Sequence, residues 1–129
     1  SAAQWKRIRT SHQGLDAISE FLNTTVVDVS GKNRRKGCLL VNSILEMEGV
    51  DTELHQQLVD RFNSLAQRLS VCLQEAKVSG TLREDLSVAE GVGYLMTNIY
   101  GLRVASRTGL GTAEARQRVQ LLIRMISTN

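Results

Sequence analysis

The sequence predicts an all-α protein, an antiparallel helical bundle of about five to six helices with no β-sheet. Three observations carry that expectation. Proline is absent from all 129 residues, where a usage of about 5% would place roughly six, and proline is excluded most strongly from helix interiors. Aromatic residues make up only 4%, and strand-favouring alternation is hard to find. Apolar residues instead recur three and four apart along most of the chain. The length suits one domain with a real core. Contents of 42% apolar and 22% charged residues are ordinary globular proportions, which argues against disorder.

Each element has a local reason. Residues 2–12 form a basic helical end with Trp5 and Ile8 on one side, broken by Gly14. Residues 15–29 read as a helix through Leu15, Ile18, Phe21, Leu22 and Val29, although the β-branched run Thr24–Val27 weakens its second half. SGKNRRKG at 30–37 is a surface loop, with two glycines among polar and charged neighbours. Residues 38–48, CLLVNSILEME, are apolar around nearly the whole wheel and so form a buried helix. Asn42 sits in its middle, and Gly49 ends it.

The clearest signal lies at 52–79. Leu54, Leu58, Phe62, Leu65, Leu69, Cys72 and Ala76 make one stripe on a helix roughly 40 Å long. Asp51 or Thr52 can cap its start, and Gly80 can end it. GTLRED then turns the chain. Ser87-Val88-Ala89-Glu90 is a capping box opening a helix to about Arg107. Its core stripe is Val88, Val92, Leu95, Ile99 and Leu102. A second, small and polar stripe runs through Gly91, Tyr94, Asn98, Gly101 and Ala105. Glycines 91, 93 and 101 each cost about 1 kcal/mol inside a helix, which calls for a close helix neighbour in compensation. Gly109 and Gly111 make the next turn. Thr112 caps a last helix at 113–126, with Ala115, Val119, Leu122 and Ile126 as its stripe and Leu121 and Met125 on a neighbouring face. The last two helices form an antiparallel hairpin whose surplus apolar surface suggests an oligomer.

Catalytic and metal chemistry is not proposed by any motif. His12 and His55 fall on polar positions, and HExxH, CxxC, GxSxG and GxxxxGK[ST] do not occur, so neither a metal nor a cofactor is expected. GLGT at 109–112 reads as a turn between helices. Glu46/Glu48 and Glu84/Asp85 read as exposed or capping carboxylates. No base, nucleophile and orienting group come together, so an enzyme is not expected. Cys38 and Cys72 read as small buried thiols of a reducing cytoplasm, with a single bridge or a redox role as the sharper alternatives. The net charge of +3 is mild. Its local clusters, Lys6/Arg7/Arg9 and Lys32/Arg34/Arg35/Lys36, read as solvated. No apolar run reaches the ~20 residues of a membrane span, and the N-terminal SAAQWKRIRTSHQG carries charges where a secretory segment would be apolar.

The second half resembles a known family. GCLLVNSILEME at 37–48, the long amphipathic helix, and GTLREDLSVAEGVGYLMTNIYGLRVASRTG at 80–109 look like the C-terminal domain of bacterial TetR-family (tetracycline-repressor-like) regulators. The pieces that carry it are the Gly-Cys-Leu opening of a buried helix, the Gly-x-Leu-Arg-x-Asp turn and the Gly-Leu-Arg-Val-x-x-Arg-x-Gly end of the penultimate helix. Their order and spacing cover about residues 15–126. The resemblance implies an effector-binding and dimerising domain of a bacterial, cytoplasmic transcriptional regulator. A small molecule enters among the central helices, and the last two helices meet their copies as a four-helix interface. Ligand binding then respaces two DNA-reading heads and releases the operator, a repressor's response in most members. Residues 1–14 match at best a connecting helix before a domain at 15–129. The helix-turn-helix is absent from this sequence, so operator DNA would be reached only through it.

Candidate residues follow. For an apolar or aromatic effector they are Phe21, Leu22, Asn42, Phe62, Leu65, Tyr94 and Met96. Phe62 and Leu65 equally suit plain core, and Asn42 a satisfied structural amide. For a homodimer they are Tyr94, Asn98, Gly101, Ala105, Val119, Leu122 and Ile126, in a twofold contact. Tyr94 stands in both sets, one helical turn deciding between them. Two other readings compete: a stand-alone helical interaction module with an exposed apolar groove, and a nucleic-acid binder using Arg34, Arg35, Lys36 and the N-terminal basic residues.

Overall fold

The structure, a computed structural model, describes residues 2–27 and 52–128. The loop expected at 30–37, the buried helix at 38–48 with Asn42 and Cys38, and Asp51 lie outside the described residues. The described residues form five α-helices and one π-helical turn: α1 (Ala2–Arg9), α2 (Gly14–Leu22), the π turn (Asn23–Val27), α3 (Thr52–Ser79), α4 (Val88–Arg107) and α5 (Thr112–Ile126). Among the described residues there is no strand, only an isolated antiparallel bridge between Leu82 and Ser127.

The N-terminal elements depart in detail from what periodicity suggests. The first helix stops at Arg9, and Gly14 opens α2 rather than merely interrupting the chain. Gly14 has φ +56, and a Cβ there would lie 3.6 Å from the Ala76 backbone nitrogen, so glycine suits both the dihedral and the close approach. The helix expected at 15–29 is regular only to Leu22. There the hydroxyls of Thr24 and Thr25 bond back to the carbonyls of Glu20 and Phe21, and the helix widens into the π turn. Hydroxyl back-bonding of this kind competes with the regular helical ladder.

Glu75 fastens both N-terminal helices to α3. It accepts a hydrogen bond from the Gly14 N–H at 3.0 Å and an ion-paired one from Arg9. These two donors hold its carboxyl below the ordinary value, the Arg9 bond contributing most. The other arm of the Arg9 guanidinium lies 3.5 Å from Cys72 Sγ. Trp5 stacks on Phe21 with ring centroids 4.6 Å apart and planes 18° apart.

α3 spans the residues its stripe predicts, and it ends at Gly80 with φ +77. The carbonyl of Ala76 then accepts both Thr81 and Leu82 N–H groups at 2.9 and 3.1 Å, a left-handed helix ending of the expected kind. The Gly-x-Leu-Arg-x-Asp turn has a concrete job. Leu82 is buried, and Arg83 grips Asp85 with two bonds of 3.0 and 2.7 Å and reaches the Met125 carbonyl. Backbone bonds Arg83 to Ile126 and Thr128 to Thr81 pin the end of α5 beside it. The capping box at α4 is complete, with both Ser87–Glu90 bonds at 3.0 Å. At α5 the cap position belongs to Gly111, not Thr112, which is the first helical residue.

α3 and α4 run antiparallel, Leu73 opposite Gly91 and Phe62 opposite Tyr100. α4 and α5 also run antiparallel, Tyr94 reaching Leu122. The core gathers Trp5, Ile18, Leu22, Val27, Leu69, Leu73, Leu95, Ile99 and Val119 among others. Of the close approaches that the three helical glycines call for, only Gly91 finds one among the described residues. A Cβ there would lie 3.0 Å from Leu73 Cδ1, whereas Gly93 and Gly101 face open space.

Candidate functional site

Two separate surfaces emerge once the candidate residues are placed. The first lies between α3 and α4. Phe62 meets Tyr100 edge to face, ring centroids 5.0 Å apart and planes 88° apart. Both are half-buried, as is Leu65. Met96, one turn before Tyr100 on the same face of α4, is buried. Phe21 and Leu22 are buried on α2, Phe21 under Trp5. Tyr100 is the residue that sequence reasoning missed here. Its signal is the four-residue step from Met96.

Tyr94 goes elsewhere. Its hydroxyl donates to the Leu122 carbonyl at 3.1 Å, which turns it toward α5 and away from Phe62. Burial pushes the phenols of both Tyr94 and Tyr100 above the usual value, so both remain donors at neutral pH. Asn98 spends one amide hydrogen on the Tyr94 carbonyl at 2.8 Å.

Two buried polar atoms have no hydrogen-bond partner among the described residues: Asn23 Oδ1, at the start of the π turn, and Ser106 Oγ, near the end of α4. A buried polar group left unpaired costs about 1–3 kcal/mol, so each marks a place where a polar partner is missing. Neither stands out in the sequence. Ser106 falls inside the Gly-Leu-Arg-Val-x-x-Arg-x-Gly run, where helix periodicity gives it no distinction from its neighbours.

The second surface is the outside of the α4–α5 hairpin. Val119, Leu122 and Ile126, expected at a homodimer contact, pack into the chain's own core. The period of an apolar stripe does not distinguish a helix's own core from an interface. What α5 presents outward is Leu121 and Met125, 45% and 52% exposed, and α4 adds Val104 at 49%. Gly101 is exposed with nothing within 4 Å of its absent Cβ, and Asn98 and Ala105 are half-buried beside it. From Gly91 to Leu102, α4 carries no charged residue.

Among the described residues no group of three His, Cys, Asp or Glu side chains could hold a metal ion. No described helix is long and apolar enough to cross a membrane.

A family model described as "Tetracyclin repressor-like, C-terminal domain" matches residues 14–121. No curated protein and no solved structure matches the chain. The match runs from the first residue of α2 into α5 and takes in the α3–α4 aromatic surface together with the hairpin's glycine-bearing helix. The chain therefore belongs to the tetracycline-repressor-like C-terminal domain family.

Proposed function

We propose that this chain is the effector-sensing and dimerising part of a bacterial, cytoplasmic transcriptional regulator, a repressor that a small molecule releases from its operator. The observation that carries this is the coincidence of the family match with two unlike surfaces on one bundle. One is a half-buried aromatic patch between α3 and α4; the other is an outer hairpin face on which Val104, Leu121 and Met125 stand exposed.

In this reading the effector is mainly apolar or aromatic and stacks against Phe62 and Tyr100, with Leu65 and Met96 as apolar wall. Ser106 Oγ and Asn23 Oδ1 supply the few placed polar groups that such pockets use for orientation. Asn42, outside the described residues, remains a proposed polar contact for the effector. The homodimer forms through Asn98, Gly101, Val104, Ala105, Leu121 and Met125, in an isologous contact. Operator DNA is met by a helix-turn-helix domain preceding this one. The two functions are coupled because a ligand that prefers one arrangement of the helices shifts the population of that arrangement.

The test uses the product of the native gene at full length. It should retain a DNA fragment from upstream of its own gene. A library compound that raises its melting temperature should release that DNA, and Phe62→Ala should weaken both effects together. Failure of the full-length product to bind that or any other promoter fragment would remove the regulator reading.

A further inference from the structure

The cleft between α1 and α3 has a chemistry that the Phe62–Tyr100 patch and the hairpin do not use. It measures about 210 Å³ and is lined by Trp5, Lys6, Arg9, Arg68, Val71 and Cys72. Its floor is apolar. Trp5 and Cys72 are buried, and Val71 forms an exposed wall. Burial pushes the Cys72 thiol up, against the pull of Arg9, so at neutral pH it is a small uncharged surface.

Its rim is cationic. The charge of Arg9 is taken up by Glu75. Lys6 and Arg68 meet no carboxylate among the described residues. Two uncompensated cations over an apolar floor favour a ligand with an anionic head and an apolar body. A cavity of about 150 Å³ lined by apolar side chains accommodates benzene, so this cleft has room for one ring and a carboxylate.

We propose that this cleft is a second ligand site, one that takes a single-ring aromatic carboxylate. The ring lies on Trp5, Val71 and Cys72, and the carboxylate is held by Lys6 and Arg68. An occupant touches α1 and α3 at once and so braces α1 against the bundle beside the Arg9–Glu75 pair. The site shares no residue with the Phe62–Tyr100 patch and stands or falls separately from it.

Trp5 is the single tryptophan of the chain, so its emission reports on this cleft. Sodium benzoate is titrated against the 129-residue chain at constant ionic strength, with benzamide as the uncharged analogue of the same shape. The expected result is a saturable emission change with benzoate and binding of benzamide at least about tenfold weaker, as loss of a charged hydrogen-bond partner implies. Lys6→Gln combined with Arg68→Gln should weaken benzoate by about tenfold or more, and Phe62→Leu should leave it unchanged. The proposal is overturned by no saturable change with benzoate, by equal affinity for benzamide, or by loss of the benzoate response in Phe62→Leu. The benzoate–benzamide comparison needs no variant, so it decides the matter even if the double variant folds poorly.

Discussion

Gly91 and Gly93 sit two residues apart on α4, and the same substitution should stabilise at Gly93 but not at Gly91. Glycine to alanine inside a helix gains about 0.5–1 kcal/mol through backbone entropy and propensity. At Gly93 nothing among the described residues lies within 4 Å of the new methyl, so that gain is kept. At Gly91 the methyl would arrive 3.0 Å from Leu73 Cδ1 and 3.5 Å from Cδ2. Leu73 is among the fully buried side chains and cannot swing into solvent to make room. Overpacking of this kind costs about 1–3 kcal/mol, which offsets the helical gain and leaves Gly91→Ala neutral to destabilising by about 2 kcal/mol. Propensity is common to the two variants, so their difference, about 1–3 kcal/mol, measures the packing of α4 on α3. The assay is urea unfolding followed by far-ultraviolet circular dichroism. Two protein concentrations should be compared, so that self-association shows as a shift of the midpoint. Equal midpoint shifts of the same sign for both variants would refute the close approach of α3 and α4 at Gly91.

Two further outcomes follow from polar side chains inside the fold. Glu75→Gln should destabilise the chain by about 1–2 kcal/mol at neutral pH, the pair being only partly buried. Because the folded state holds the Glu75 carboxyl below its ordinary value, its contribution is full above about pH 4.3 and fades as pH falls through the lowered value. Melting curves of wild type and variant should therefore converge in acid. Ser106→Ala removes a buried hydroxyl that has no partner. It should leave thermal stability unchanged or raise it by up to about 1 kcal/mol, while weakening any effector found by the release assay. A clear loss of stability would mean that the hydroxyl is bonded after all.

What was legible in the sequence was what is local. The capping box needs only Ser87 and Glu90, and the end of α3 needs only Gly80. The α5 stripe is a single period, so Ala115, Val119, Leu122 and Ile126 were readable as one apolar face. Which partner that face meets was not readable, because a helix buries the same pattern against its own core or against a copy. The three helical glycines show the same limit. All signal a close neighbour, but among the described residues only Gly91 finds one. Contacts far apart along the chain were invisible. Arg9 and Glu75 are 66 residues apart, and neither has a periodicity that points to the other. Phe62 was a candidate without Tyr100, since an edge-to-face pair between two helices depends on their relative rotation. The π turn was half visible: the β-branched Thr24–Val27 run warned of irregularity, but back-bonding by two threonine hydroxyls is a matter of geometry.

The dimer is the hinge of the whole account, and its mass in solution tests it most directly. Sedimentation equilibrium of the chain should give about twice the 14.3 kDa of a single copy. Leu121→Glu with Met125→Glu, which places two charges on the exposed hairpin face, should return it to one. A single-copy mass for the wild type at micromolar concentration, or a dimer indifferent to both substitutions, would contradict the assignment of this face.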